Sequence, residues 1–173
     1  ILSIITNISL DHTNLLGNDI EQIAREKAGI IKCNVPVVVG ATTRESEVVF
    51  QTESRNKMSQ LYIAIDEKEV IDYQETETGN FYRTRHFGEF TGALLGKHQA
   101  ENTGTILKSL LVLDTLGYTI CHKNVHEGFM KVCELTGLMG RWQVLGKEPL
   151  IICDTGHNEG GWKYISEKLK DIK

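Results

Sequence analysis

The apolar residues in the first third of the chain alternate between short runs and longer mixed segments. The runs at 1–8, 35–40 and 61–65 are rich in branched apolar residues, which is typical of buried strands. The mixed segments at 19–31 and 45–59 repeat apolar residues at helical spacing, and Asp19 is a suitable N-cap. This order of strands and helices predicts β-α-β units and a parallel sheet, hence an α/β fold.

The middle of the chain has a different pattern. Residues 66–77 contain six acidic side chains against one lysine, a composition typical of a solvated loop. Polar and apolar residues then alternate over 81–87, after a Gly-Asn turn, which predicts exposed antiparallel hairpins. Helical spacing returns at 98–116 and again at 124–135, so two further helices are expected.

The last part of the chain begins with a break in the helical pattern. Residues 136–140 contain two glycines and indicate a linker. The apolar run at 150–153 predicts a short strand, which leads through a polar, glycine-containing turn into a helix. We therefore expect a domain boundary near residue 138.

Composition narrows the class of protein. Of the 173 residues, 40% are hydrophobic and 24% charged, with a net charge of −4, which is typical of a folded globular chain without the basic clusters that bind nucleic acid. The four cysteines are far apart, which favours reduced thiols, and no apolar run reaches the length of a membrane span. We expect a cytoplasmic protein with no membrane or nucleic-acid partner. The chain opens in a strand without Met, so we expect a fragment cut at both ends.

Lys27 stands out because it falls on an apolar helical face, together with Ile20, Ile23, Ala24 and Ile31. An amine removed from water has a lowered pKa, which permits nucleophilic or base chemistry or the addition of carbon dioxide to give a carbamate that ligates metal. The alternative is that Lys27 extends from the edge of the stripe to solvent.

Two turns that follow apolar strands carry further candidate groups. The pair Asp11-His12 comes directly after the first strand, where α/β sheets bind ligands, although such a pair is often only a surface hydrogen bond. The segment 154–158 places Asp154, His157 and Asn158 in the same relation to the last strand. The alternative is a capped turn in which Asn158 caps a helix and Asp154 binds backbone amides.

Common nucleotide and metal motifs are absent from these 173 residues. The segment 92–97 is one residue short of a phosphate-binding G-x-x-x-x-G-K-[ST] loop and is followed by His98. His122 and His126 lie beside Cys121, but no second ligand pair has zinc-finger spacing.

Four blocks of the sequence form a recognisable set. They are Ile4–His12 continuing through Leu16-Gly17 to Ile23–Lys32, Gly96–Asn102, Gly140–Gln143 and Asp154–Asn158. Taken together, these blocks resemble the folylpolyglutamate synthase/dihydrofolate synthase family of the Mur ligase superfamily, and the resemblance covers essentially the whole chain.

The resemblance implies ATP-dependent amide ligation. A folate or dihydropteroate carboxylate would be phosphorylated by ATP, and L-glutamate would attack the acyl phosphate. His12 resembles the family's Mg²⁺-ligating histidine, and Lys27 resembles the lysine that becomes carbamylated and helps to hold metal and phosphate. Magnesium would neutralise the charge that builds up between phosphate and carboxylate.

The resemblance also implies a nucleotide site built from both parts of the chain. Asn102 matches the amide that contacts the nucleotide, Arg141 and Asp154 match the residues that close on ATP, and His157 matches a histidine of the interdomain cleft. Residues 1–137 would form the later part of a Mur-type parallel-sheet ATPase domain, and residues 138–173 the start of a Rossmann-like C-terminal domain. Gly137 and Gly140 would be the hinge.

Two alternatives stay open at this point. One is a non-catalytic module that keeps the fold and only binds nucleotide or a partner. The other is a peptidoglycan-type Mur ligase that acts on a nucleotide-sugar peptide. The sequence leaves undecided whether dihydropteroate, a reduced folate or both are substrates, how many glutamates are added, and the oligomeric state.

Overall fold

A three-stranded parallel sheet organises the first part of the molecule. The computed structural model describes residues 1–8, 19–157 and 159–170. Strands β1 (Ser3–Asn7), β2 (Val37–Ala41) and β3 (Leu61–Ile63) lie in the order β1-β2-β3 and pair in parallel. The predicted parallel sheet is confirmed. The third strand is shorter than predicted, because a one-turn helix begins at residue 64. This helix is α3 (Ala64–Glu67), since two longer helices precede it in the chain.

The central strand β2 is covered on both faces. Val37 and Val39 pack with helices α1 (Ile20–Ala28) and α2 (Arg44–Asn56), while Val38 packs on the opposite face with Ala64 and Val112. All three valines are fully buried, as expected for a parallel sheet that alternates its side chains between two helical layers. Asp19 caps α1 by accepting from the Gln22 amide, which confirms the predicted helix start.

The acidic segment is not a loop, although most of its acidic residues are exposed, as predicted. It contains α3 and strand β4 (Val70–Glu75), which pairs antiparallel with β5 (Asn80–Thr84), and β5 pairs antiparallel with β6 (Glu89–Gly92). The predicted antiparallel hairpins are confirmed, but their predicted exposure is wrong, because Asn80 and Tyr82 are almost fully buried. Some of the acidic side chains serve as ion-pair partners, and Glu67 pairs with Lys108 at 2.6 Å.

A long helix joins the two sheets. Helix α4 (Lys97–Thr115) packs Val112 against the parallel sheet and Leu107 against the antiparallel one. Helices α5 (His122–Met130) and α6 (Val132–Thr136) follow, so a turn at Lys131 divides the single helix predicted over 124–135. Phe129 of α5 packs against the aromatic cluster of the antiparallel sheet.

The last described part is a hairpin followed by a helix. Strand β8 (Leu150–Cys153) is present as predicted, and it pairs antiparallel with β7 (Gln143–Lys147), a strand that the apolar pattern does not predict. Helix α7 (Glu159–Lys170) follows. Throughout the described ranges, no helix is both long and apolar enough to cross a membrane.

Candidate functional site

The carboxyl edge of the parallel sheet holds Lys27. Its Nζ lies 2.9 Å from the carbonyl oxygen of Asn7, the last residue of β1, and its side chain is half-buried. In the sheet register Asn7 lies opposite Ala41, at the corresponding end of β2. The structure therefore fixes the lysine amino group at the edge where parallel sheets bind ligands.

Helix α4 begins at the same edge. A cavity of about 250 Å³ is bordered by Ala41 from β2 and by Lys97, Glu101 and Gly104 from the first turns of α4. This close approach depends on Gly40, because a Cβ atom there would overlap the Thr6 carbonyl and lie 2.5 Å from Thr105 Oγ1. Glycine at this position lets α4 bring its N-terminal end against the sheet.

The polar turn after β8 is held by Asp154. One carboxylate oxygen accepts from the Trp142 amide and the other from the Gly156 amide, both at 2.7 Å. The Thr155 amide donates to the Gly140 carbonyl at 2.9 Å, and Arg141 Nη1 lies 3.2 Å from Thr155 Oγ1. The contacts between residues 140–142 and 154–156 thus join two stretches that are separated by the β7-β8 hairpin. Asp154 binds backbone amides, as the capped-turn alternative expects.

His98 connects this turn to α4. Its ring meets the Tyr164 ring edge-on at 5.3 Å. Burial lowers the pKa of His98, and the nearby Arg141 guanidinium lowers it further, while the Asp154 carboxylate raises it. Arg141 and Asp154 are therefore electrostatic neighbours of the first turn of α4.

The structure brings together most of the predicted nucleotide-site residues. Arg141, Asp154 and His157 lie in one region, and His157 is exposed with Nδ1 3.1 Å from the Thr155 carbonyl. Asn102 is half-buried and lies one helical turn beyond His98, on the same side of α4. Lys27 lies apart from this group, at the strand end. The predicted His12 and the turn residues Asp11 and Asn158 fall outside the described residues.

The side chains that could ligate a metal ion are dispersed in the part of the chain that the structure describes. There, no group of three His, Cys, Asp or Glu side chains could hold a metal ion. The Lys27 Nζ donates a hydrogen bond to the Asn7 carbonyl. His122 and His126 pack on Phe87 and Phe90, with ring centroids 5.0 and 4.9 Å apart.

Sequence reasoning missed the residues that seat the last helix. Tyr164 and Lys168 of α7 contact Trp142, and Lys168 also pairs with Glu75 of β4. The spacing of Tyr164 and Lys168, four residues apart on a helix, would have placed them on one face. Nothing local in the sequence identifies Glu75 as their partner, because it lies in a distant segment.

Known proteins resemble this chain over nearly its whole length. No family model matches the chain. It is 29% identical over 98% of its length to the dihydrofolate synthase/folylpolyglutamate synthase of Bacillus subtilis, and 30% identical over 99% to that of Buchnera aphidicola. The chain is homologous to part of these enzymes. It spans 40% and 38% of the length of these two relatives, respectively.

Solved structures agree in fold. A folylpolyglutamate synthase of Mycobacterium tuberculosis, complexed with ADP and AMPPCP, superposes with a TM-score of 0.78 at 28% identity, over 98% of this chain and 39% of that one. A folylpolyglutamate synthase–AMPPCP complex gives a TM-score of 0.84 at 24% identity, over 99% and 43%. The α/β fold is therefore of the Mur ligase type, as expected.

Proposed function

We propose that the complete protein is an ATP-dependent ligase that joins L-glutamate to a folate or dihydropteroate carboxylate through an acyl phosphate. The observation that carries the proposal is that Arg141 and Asp154 lie beside the first turn of α4, one helical turn from Asn102. In this proposal, these three residues bind the nucleotide, and His157 lies in the cleft next to it. The named relatives support the same reaction, and two neighbouring structures hold AMPPCP.

Residues 1–137 and 138–173 are proposed as two domains, with Gly137 and Gly140 as the hinge between them. Both glycines have positive φ angles, 68° and 70°, which other residues adopt at a cost. A Cβ atom on Gly140 would also lie 2.6 Å from the Thr155 side chain. The backbone conformation at both glycines, and the close approach of Thr155 at Gly140, therefore disfavour other residues there.

Lys27 is proposed as a carbamate, formed when its neutral amine adds carbon dioxide and releases a proton. The carbamate nitrogen keeps one hydrogen, which preserves the bond to the Asn7 carbonyl. Mg²⁺ is proposed with His12 and this carbamate as ligands. The described residues do not by themselves form the metal site, so no step of the reaction is derived through the ion.

Ligation is tested by incubating the complete protein with ATP, Mg²⁺, L-glutamate and either dihydropteroate or tetrahydrofolate. The proposal expects a product heavier by one glutamyl residue and ADP release that requires both acceptor and glutamate. Asn102→Ala should reduce turnover at limiting ATP. ADP release that requires a nucleotide-sugar peptide would favour the peptidoglycan-type alternative, and nucleotide binding without any product would favour the non-catalytic module.

The 173 residues on their own are proposed to be inactive. They contain no G-x-x-x-x-G-K-[ST] loop, whose backbone amides would bind the ATP phosphates. Glutamate addition by this chain alone, above a control without protein, would show that the phosphates are bound elsewhere.

A further inference from the structure

Three side chains that have no role in the proposed reaction fix helix α7 to the preceding part of the chain. We propose that Tyr164, Lys168 and Glu75 are positioning residues, which hold Arg141 and Asp154 against helix α4 so that the nucleotide site is complete. This inference rests on the proposed function, because it concerns the same site. The three residues would affect ATP binding without themselves contacting the nucleotide.

The first contact is between Tyr164 and the start of α4. A Cβ atom on Gly96 would lie 2.8 and 3.0 Å from Tyr164 ring atoms, so the ring rests directly on the glycine backbone. Gly96 also has a φ of 108°, a conformation that other residues rarely adopt. The Tyr164 ring meets His98 at 5.3 Å and Trp142 at 6.2 Å. Tyr164 thus contacts both the start of α4 and Trp142.

The second contact is centred on Lys168. Its Nζ pairs with the Glu75 carboxylate at 2.5 Å, donates to the Tyr164 hydroxyl at 3.0 Å and lies 4.9 Å from the centre of the Trp142 ring. The Lys168 side chain is only 17% exposed and that of Glu75 36%. A cation that is held by a carboxylate, a hydroxyl and an aromatic face has a single favoured position.

These contacts reach the nucleotide-site residues through Trp142. This residue directly follows Arg141 in sequence, and its amide donates to Asp154 Oδ2 at 2.7 Å. Lys168 and Tyr164 hold the Trp142 ring, so they also fix the backbone from which Arg141 projects and to which Asp154 is bound. Glu75 belongs to β4, so it ties this arrangement to the antiparallel sheet.

An ion pair on an open surface contributes little to stability, but this one is mostly shielded and shares its cation with two aromatic rings. We expect its loss to weaken nucleotide binding about fivefold, since an ion pair of this kind is worth about 1 kcal/mol and a tenfold change in affinity is about 1.4 kcal/mol. The acceptor and glutamate sites should not respond.

The test compares the complete wild-type protein with Lys168→Met, Glu75→Gln, the double variant and Lys168→Arg. Calorimetry gives the dissociation constant of AMPPCP, and steady-state kinetics give KM for ATP and kcat. Lys168→Met and Glu75→Gln should each raise the dissociation constant of AMPPCP and KM for ATP about fivefold, and kcat should be nearly unchanged. The double variant should be no weaker than either single one, and Lys168→Arg should remain near wild type.

Lys163→Met is the matched control, since it removes an exposed lysine from the same helix and should leave AMPPCP affinity unchanged. The inference is overturned if Lys168→Met binds AMPPCP like wild type, or if the effects of the two single variants add in the double one. If instead the wild-type protein binds AMPPCP but forms no glutamyl product, the proposed function fails, while the affinity series still decides the inference.

Discussion

Lys27 carries its amino group to the carboxyl end of β1, where the Asn7 carbonyl accepts its hydrogen bond. If the lysine is carbamylated, Lys27→Ala and Lys27→Arg should both lower turnover of the complete protein by about 100-fold or more, because loss of an outer-shell partner of a metal ligand already costs about 10–100-fold. Arginine fails because a guanidinium stays charged and does not add carbon dioxide. Carbon-13 NMR after labelling with bicarbonate should show a carbamate carbonyl that Lys27→Ala removes. Wild-type turnover in the arginine variant would show that Lys27 is not carbamylated and is an ordinary amphipathic side chain.

The shifted titration of His98 gives a second prediction at the residue scale. Burial and Arg141 lower its pKa in the folded protein, so near pH 6.5 the unfolded chain binds more protons than the folded one. The stability that depends on the neutral form is therefore complete above pH 6.5 and is lost as the pH falls below it. Thermal unfolding at pH 5 and pH 7 should show a smaller difference for His98→Gln than for wild type. If the unfolding temperatures at pH 5 and pH 7 differ equally in both proteins, His98 does not contribute to the pH dependence of stability.

At the scale of elements, the approach of α4 to the sheet depends on a position without a side chain. Gly40→Ala should lower the free energy of unfolding by about 2 kcal/mol or more, because its Cβ would meet the Thr6 carbonyl and Thr105 Oγ1. The matched control is Gly104→Ala in α4, where a Cβ meets nothing within 4 Å and alanine should stabilise the helix by about 1 kcal/mol. Urea titration of both variants measures the contrast. Equal stability of the two would mean that α4 approaches the sheet less closely.

Elements with a local pattern were predictable from sequence, and those that depend on distant partners were not. The three parallel strands, their two crossover helices and β8 follow from apolar periodicity, and the four motif blocks mark most of the candidate site. The composition of residues 66–77 does not indicate the ion pairs of Glu67 and Glu75, because their partners Lys108 and Lys168 lie far along the chain. Strand β7 mixes polar and apolar residues, so only its pairing with β8 identifies it.

For the whole molecule, the central claim is that two separate stretches, around Asn102 and around Arg141 and Asp154, form one nucleotide site. Asp154 also holds the Trp142 and Gly156 amides, so Asp154→Asn, which keeps one acceptor oxygen, is preferable to alanine. Asp114→Asn, at the exposed far end of α4, is the control.

Calorimetric titration of the complete protein with AMPPCP tests this claim most directly. Asn102→Ala and Asp154→Asn should each weaken binding about tenfold, as expected for loss of a hydrogen bond to a charged or strongly polar group, while Asp114→Asn binds like wild type. Wild-type affinity in both site variants, with unfolding temperatures also unchanged, would contradict the account and place the nucleotide elsewhere.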